Sequence, residues 1–283
     1  MAVLTSADSI KLGSTVVDKV YMGSTQVWTS VDSDAAAFLT ASGITDSTQS
    51  AAVNRLVLDL KAASIWTKMA AIYPLVGGTA AKHKWNLKDP RDLDAAYRLT
   101  FNGSYTHNSG GLVPDGSTAY AETYAVDDVV GSVSSLSFGV YSRSQSQDGM
   151  AYEMGAGDPV DTKASVCIPR YGNGLFFATV GTSGYSTSIA ENDGRGFFTA
   201  NRLSSTITEG YKNGTRVFAI GDAGISLAHV SFYLTAHHRG TGMAYPGRKT
   251  LGFAYISTGL TQAEHAALYT AVQAFQTTLG RQV

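Results

Sequence analysis

The sequence predicts a mainly β protein: an antiparallel β-sandwich preceded by a small N-terminal β-hairpin anchor and a short helical section. Three observations predict it. From Ala95 onward, short apolar or alternating runs are punctuated by Gly, Asn, Asp and Pro at the close spacing of a sandwich. Within this region, Asn213-Gly214 stands between Tyr211 and Val217. A type I′ hairpin turn needs positive φ at both central residues, and Asn-Gly adopts it at little steric cost. The composition agrees: 283 residues with 30 Gly, 44% hydrophobic and 15% charged, less charge than the ~25% of an average domain. The expected division is residues 1–30 anchor, 31–94 helical connector and 95–283 sandwich ending in a helix.

The anchor carries an internal repeat. Ile10-Lys11-Leu12-Gly13-Ser14-Thr15 recurs as Val20-Tyr21-Met22-Gly23-Ser24-Thr25. Each copy reads as strand, Gly-Ser turn and strand. A unit this small cannot bury enough surface to stand alone. Ile10, Leu12, Tyr21, Met22, Val27 and Trp28 are therefore candidate contacts, packed either on the chain's own globular part or on another chain.

In the connector, Asp32 precedes a run of helix formers that stops at Gly43, giving a cap, a helix and a C′ glycine. Asp46, with Gln49 three residues on, reads as a capping box. Val53, Leu56, Val57 and Leu60 then form one apolar stripe of an amphipathic helix running to about Ala63. Gly77-Gly78-Thr79 has no following Lys-Ser/Thr and is not expected to open a helix, so it is no phosphate loop. The charged stretch Lys82–Arg98 reads as a solvated connector.

The expected strands are Leu99–Phe101, Ala119–Tyr124, Leu136–Tyr141, Ala164–Ile168, Leu175–Val180, Gly196–Leu203, Glu209–Tyr211, Arg216–Ile220, Ala228–Ala236 and Leu251–Ile256. Thr261 with Glu264 forms a second capping box. It opens a helix whose Ala267, Leu268, Ala271 and Phe275 share a face.

A net charge of −1 and the absence of a basic patch argue against nucleic acid. No run approaches the ~20 apolar residues of a membrane span, and the first residues lack a secretory pattern. The single cysteine, Cys167, excludes an intrachain disulfide framework and a four-cysteine zinc site; its apolar run predicts a buried, inert thiol. No catalytic residue, cofactor or metal site is expected. On a continuous strand 228–236, Val230, Phe232, Leu234 and Ala236 would face the core. His229, Ser231, Tyr233, Thr235 and His237 would share the other face. His229 and His237 lie too far apart along such a strand to share a metal ion, while adjacent His237 and His238 point apart. The candidate ligand-binding residues are His229, Tyr233, His237 and His238, as a shallow sugar-binding or interchain surface in which Tyr233 stacks on a pyranose. A plain polar outer face is the alternative.

Residue by residue, Gly210-Tyr-Lys-Asn-Gly-Thr-Arg-Val217, Gly116–Thr123, Phe253–Gly259 and Leu260-Thr-Gln-Ala-Glu264 resemble the hairpin, opening strand, closing strand and closing helix of laminin-G-like (concanavalin-A-like) jelly-roll domains. The resemblance implies a jelly roll over roughly Ala95–Val283. Glycosidases of this fold carry Glu-x-Asp-x-(x-)Glu on a strand. Here Glu191-Asn192-Asp193 is followed by Gly194-Arg195-Gly196, which reads as a turn and breaks that pattern.

The N-terminal repeat, together with Trp66–Met69, Asn86–Pro90, Asp92–Ala96 and Ala274–Arg281, is similar to bacteriophage tail and virion-appendage proteins. That resemblance implies a structural virion protein made in the bacterial cytoplasm. It would be tail-associated, docked by its N-terminus on other virion proteins, and would present the jelly roll to a host-surface glycan. A homo-oligomer is implied, with a trimer favoured. Capsid decoration or a head fibre, a free-standing lectin and a polysaccharide depolymerase are the alternatives.

Overall fold

The computed structural model describes residues 10–283 apart from 13, 18, 24, 148 and 184–187. The chain begins with β1 (Ile10–Leu12), β2 (Thr15–Val17), β3 (Lys19–Met22) and β4 (Thr25–Thr29). β1 pairs with β2 and β3 with β4, as two separate hairpins. Leu12 is 80% exposed. The side chains of Ile10, Tyr21, Met22, Val27 and Trp28 lie outside the described residues.

Helices α1 (Ser33–Ser42) and α2 (Ser47–Ala62) follow. Asp32 caps α1 and Gly43 ends it at φ 63°. Asp46 caps α2 through the Gln49 amide. The expected capping box is only half made, because Gln49 Oε1 has no partner among the described residues. The stripe Val53, Leu56, Val57 and Leu60 is fully buried, worth roughly 1.5–3 kcal/mol per large side chain.

Next come β5 (Met69–Tyr73), the one-turn α3 (Ala80–His83), β6 (Thr100–Asn102), β7 (Tyr105–Asn108), β8 (Gly111–Pro114), β9 (Tyr120–Val126) and the one-turn α4 (Asp127–Val130). The Gly77-Gly78-Thr79 run does open a helix, contrary to the sequence reading, but of four residues only, with no side-chain cap from Thr79. Then follow β10 (Leu136–Ser142), β11 (Met154–Gly157), β12 (Ala164–Ile168), β13 (Leu175–Thr182) and β14 (Ser188–Ala190). β15 (Gly196–Ser204), β16 (Ile207–Lys212), β17 (Thr215–Gly221), β18 (Ser231–Leu234), β19 (His237–Arg239), β20 (Met243–Ala244), β21 (Leu251–Ser257) and α5 (Gln262–Thr278) complete the chain.

Two sheets pack face to face. One has the order β17-β16-β15-β10-β21-β8-β7, with β5 also on β21; the other has β14-β13-β12-β11-β18-β9-β6, with β19 on β11 and β20 on β19. Asn213 (φ 50°) and Gly214 (φ 74°) make the expected turn between β16 and β17. The inner faces meet in a core that includes Phe138, Val140, Phe176, Phe198, Phe232 and Ile256.

The outer faces differ. On the first sheet Tyr141, Phe197, Phe253 and Tyr255 point outward into a second core shared with α1, α2 and α5. That is why β10 and β21 are buried at every residue. In the second sheet β9 alternates strictly, with Tyr120, Glu122 and Tyr124 half-buried on its outer side. Alternation of this kind marks a half-solvated outer side at this strand, whereas β11, β12 and β18 are buried at every residue. β5 lies within the helical section yet pairs with β21 from Met69 to Tyr73. Cys167 is fully buried, and burial pushes its thiol well up, as expected of an inert group. No helix among the described residues is long and apolar enough to cross a membrane.

Candidate ligand site

The outer side of the second sheet carries most of the candidate residues, but not in the expected arrangement. β18 ends at Leu234, because Thr235 takes φ 58° and turns the chain. The chain then enters β19, parallel to β11. The single strand 228–236 is therefore two short strands with a break, and the four residues are dispersed.

His229 precedes β18 at φ 60°, and its Nδ1 faces Asp128 at 2.8 Å. Its side chain is 76% exposed. Asp127 holds this loop by accepting the amides of Ala228 and His229. Tyr233 is only 7% exposed. Its ring lies between His238 (4.1 Å between centroids, 7°) and Tyr120 (4.6 Å, 26°). Both ring faces are taken, so Tyr233 cannot be the stacking platform for a sugar that the sequence suggests. Burial, then the Glu122 carboxylate, pushes its phenol up.

His237 is fully buried, not on an open polar face. It stacks on Tyr152 (5.3 Å, 24°) and on Tyr245 (6.2 Å, 16°), with Asp161 at 3.8 Å. Its room comes from β11. A Cβ on Gly155 would lie 2.9 Å from the ring, and one on Gly157 2.6 Å from Nε2. Burial holds its pKa down to about 4, although Asp161 and the Ala156 backbone favour the charged form. His237 and His238 do point apart, as the sequence implies. Among the described residues no three His, Cys, Asp or Glu converge as metal ligands.

What the structure gathers beside His237 is an aromatic cavity. Tyr152, Tyr171, Phe177 and Tyr245, with Ile168 and Met150, line a space of about 160 Å³ on the outer face. Tyr171 meets Tyr152 edge-on at 6.3 Å and Phe177 edge-on at 5.6 Å. Tyr152 packs against Tyr245 at 4.8 Å. Arg239 lies over the Tyr245 ring at 5.7 Å and pairs with Asp161 at 2.9 Å. Met150 (φ 48°), Tyr245 (φ 52°) and Asp161 (φ 57°) all occupy the left-handed region. Strain at non-glycine residues costs about 1–3 kcal/mol each and clusters at ligand clamps.

None of the cavity residues was a candidate in the sequence. They come from loops and strands far apart in the chain, and only the alternate glycines of β11 hint that a bulky ring lies over it. A wider groove of about 310 Å³ lies beside Thr261. Its charged groups are satisfied within the chain, Arg216 by Glu209 at 2.8 Å.

The broken carboxylate pattern is a turn, as expected. Asp193 pairs with Arg195 at 2.8 Å and Glu191 with Lys212 at 2.8 Å. Ion pairing with Arg195 holds the Asp193 carboxyl below its ordinary range.

No protein-family model matches the chain, and no curated protein matches it. Among solved structures it is similar to domain 4 of AbnA, a GH43 extracellular arabinanase from Geobacillus stearothermophilus in complex with arabinotriose. That match has 15% identity and a TM-score of 0.45, over 71% of this chain and 98% of that one. It is also similar to Trypanosoma rangeli sialidase, at 10% identity and a TM-score of 0.49, over 72% of this chain and 32% of the sialidase. The Ruminococcus gnavus IT-sialidase CBM40 bound to alpha2,6 sialyllactose matches at 10% identity and a TM-score of 0.36, over 51% of this chain and 84% of that one. These are likenesses of fold, between antiparallel β-sandwiches.

Proposed function

We propose that the chain is a non-catalytic, glycan-recognising β-sandwich that serves as the adhesive part of a bacteriophage virion appendage. The observation that carries glycan recognition is the cavity of Tyr152, Tyr171, Phe177 and Tyr245 on the outer side of the second sheet. Aromatic rings present apolar surface to the C–H face of a sugar, while phenol hydroxyls at the rim supply hydrogen bonds. Binding without turnover is supported by the ion-paired state of Glu191 and Asp193, neither of which is placed as a free acid or nucleophile. The virion setting is supported by the sequence resemblance and by two hairpins that, among the described residues, form two-stranded sheets of their own.

The test measures binding of the full chain to host-surface polysaccharide alongside release of reducing ends. Tyr171→Ala should weaken binding at least 10-fold, while Glu191→Ala and Asp193→Ala leave it within about twofold, the range of surface substitutions. Sugar release that either acidic variant abolishes would overturn the non-catalytic reading. A mass-spectrometric inventory of purified particles tests the setting, and absence of the chain from particles overturns it.

A further inference from the structure

Building on the proposed glycan recognition, we infer that the site extends beyond the cavity and takes an internal stretch of a polysaccharide, lying across the strands of the second sheet, with Tyr120 and Asn102 at its far end. The strand register puts the two ends in line. Phe177 pairs with Ile168. One residue along, Cys167 pairs with Met154, Met154 with Leu234 and Leu234 with Ala121. Tyr120 therefore stands level with Ile168 and Phe177, and the Thr235 amide on the Glu153 carbonyl holds that level between them. Because successive side chains alternate, Tyr120 also shares their side of the sheet. From β13 to β9 is four strand spacings, about 19 Å.

The far end has the composition of a sugar subsite. The Tyr120 ring gives one face to Tyr233 at 4.6 Å, and no other ring or cation among the described residues stacks on it. The residue is half-buried, not sealed into the sheet. Asn102 pairs directly with Tyr120 across β6 and β9, which sets their Cβ atoms about 5 Å apart. Asn102 Nδ2 donates to the Thr100 carbonyl at 3.3 Å, and its Oδ1 has no hydrogen bond among the described residues. A ring face with an amide at its edge suits a pyranose, giving apolar contact to its C–H face and a partner to a hydroxyl.

Half-buried His238 adds a polar contact beside Tyr120. Its Nδ1 lies 2.9 Å from the Ser231 carbonyl. A carbonyl only accepts, so Nδ1 carries the hydrogen and Nε2 of the neutral ring is left as an acceptor. Nε2 has no partner among the described residues. Tyr233 is the common backing, stacked on His238 at 4.1 Å and on Tyr120 at 4.6 Å. The cavity itself, at about 160 Å³, falls below the roughly 300–1,000 Å³ of a pocket that encloses a drug-sized ligand. It has room for one unit of a chain, and the units that follow lie along the row to Tyr120.

The decisive experiment titrates the full chain with size-graded oligosaccharides, from single units upward, cut from the host-surface polysaccharide. Affinity should rise with length and level off once a fragment reaches from the cavity to Tyr120. Tyr120→Ala should weaken binding of the long fragments about 10-fold, the loss typical of one aromatic anchor, and leave the shortest fragment that binds unchanged. Asn102→Ala should act in the same direction, several-fold. Tyr120→Phe keeps the ring and should keep the gain with length, while melting temperatures show each fold intact. Affinity independent of length, with Tyr171→Ala still abolishing binding, overturns the extended site and leaves glycan recognition standing. So does a gain with length that survives both Tyr120→Ala and Asn102→Ala, or a loss in Tyr120→Ala that is equal for short and long fragments. No binding of any fragment or of the intact polysaccharide overturns both.

Discussion

Three histidines are buried as neutral rings, and together they set how the protein meets acid. His83 lies with its Nδ1 3.0 Å from that of His107, His265 stacks on Tyr211 at 3.8 Å, and His237 packs against the contacting pair Tyr152 and Tyr245. Burial holds their pKa values down to about 3, about 3 and about 4, in that order. These lie below the ordinary value of ~6.5, so the unfolded chain takes up protons first. Their stabilising effect is complete above about pH 6.5 and is lost as pH falls toward 3–4. The melting temperature should therefore hold level from pH 8 to 7 and fall steeply below pH 6. His265→Phe should flatten that acid limb; an unchanged limb would show that His265 does not govern it. The same residues show where sequence reading stops. Cys167 and the Asn213-Gly214 turn are local matters, set by a residue and its neighbours. His237 is not, because the expectation of an exposed His237 assumed that alternation continues through Thr235. The chain turns there on a positive φ fixed by tertiary bonds, the Thr235 amide to Glu153 O and the Gly247 amide to Thr235 O.

Among elements, periodicity located α2, α5, β10, β15 and β21, whose buried stripes or runs are long. It missed β7, β8, β11, β14, β19 and β20, which at two to four residues are too short to show a period. It also missed β5, five residues that lie within the section read as a helical connector. That strand has an energetic consequence. Residues 94–283 alone would lose β5 from β21 and the α2 stripe from Tyr141, Phe197, Phe253 and Tyr255. Uncovering that many aromatic side chains forgoes several times the ~1.5–3 kcal/mol worth of each. Asp94–Val283 should show no cooperative melt, whereas Ser30–Val283 should. Arg281 closes the same junction. Its guanidinium donates to the Pro74, Leu75 and Gly252 carbonyls and to Gln276 Oε1. Burial lowers its pKa to about 9, which keeps it charged at neutral pH. Arg281→Met leaves those acceptors dry and should cost about 3 kcal/mol. A urea midpoint shift with unchanged slope would measure it; a shift under about 0.5 kcal/mol would contradict this role.

At the scale of the molecule, the sandwich and the anchor are expected to separate. The hairpins pair within themselves, and the fixed body begins where Asn54 on α2 binds the Ser30 carbonyl and the Asp32 amide. Deletion through Trp28 stops short of that clasp. It should leave the melting temperature within about 2 °C, less than a 1 kcal/mol change produces in a domain of this size. On the proposed virion reading it should also abolish incorporation into particles. Truncated protein that still co-purifies with particles at the wild-type ratio would place docking elsewhere. A Gly157→Ala chain, by contrast, should keep docking and lose the cavity, since the new methyl displaces His237 from beneath Tyr152 and Tyr245.

The clasp at Asn54 lies on the helical side of the first sheet, and the aromatic cavity lies on the outer face of the second. A pull applied at the cavity and resisted at Ser30 therefore crosses the whole thickness of the molecule, through both sheets and the helical layer. Such tension acts across the layers rather than along the strands, so it is borne by apolar contact and by the few bonds that stitch one layer to the next. Under load the protein should yield by parting its layers, beginning where α2 grips the Ser30 carbonyl.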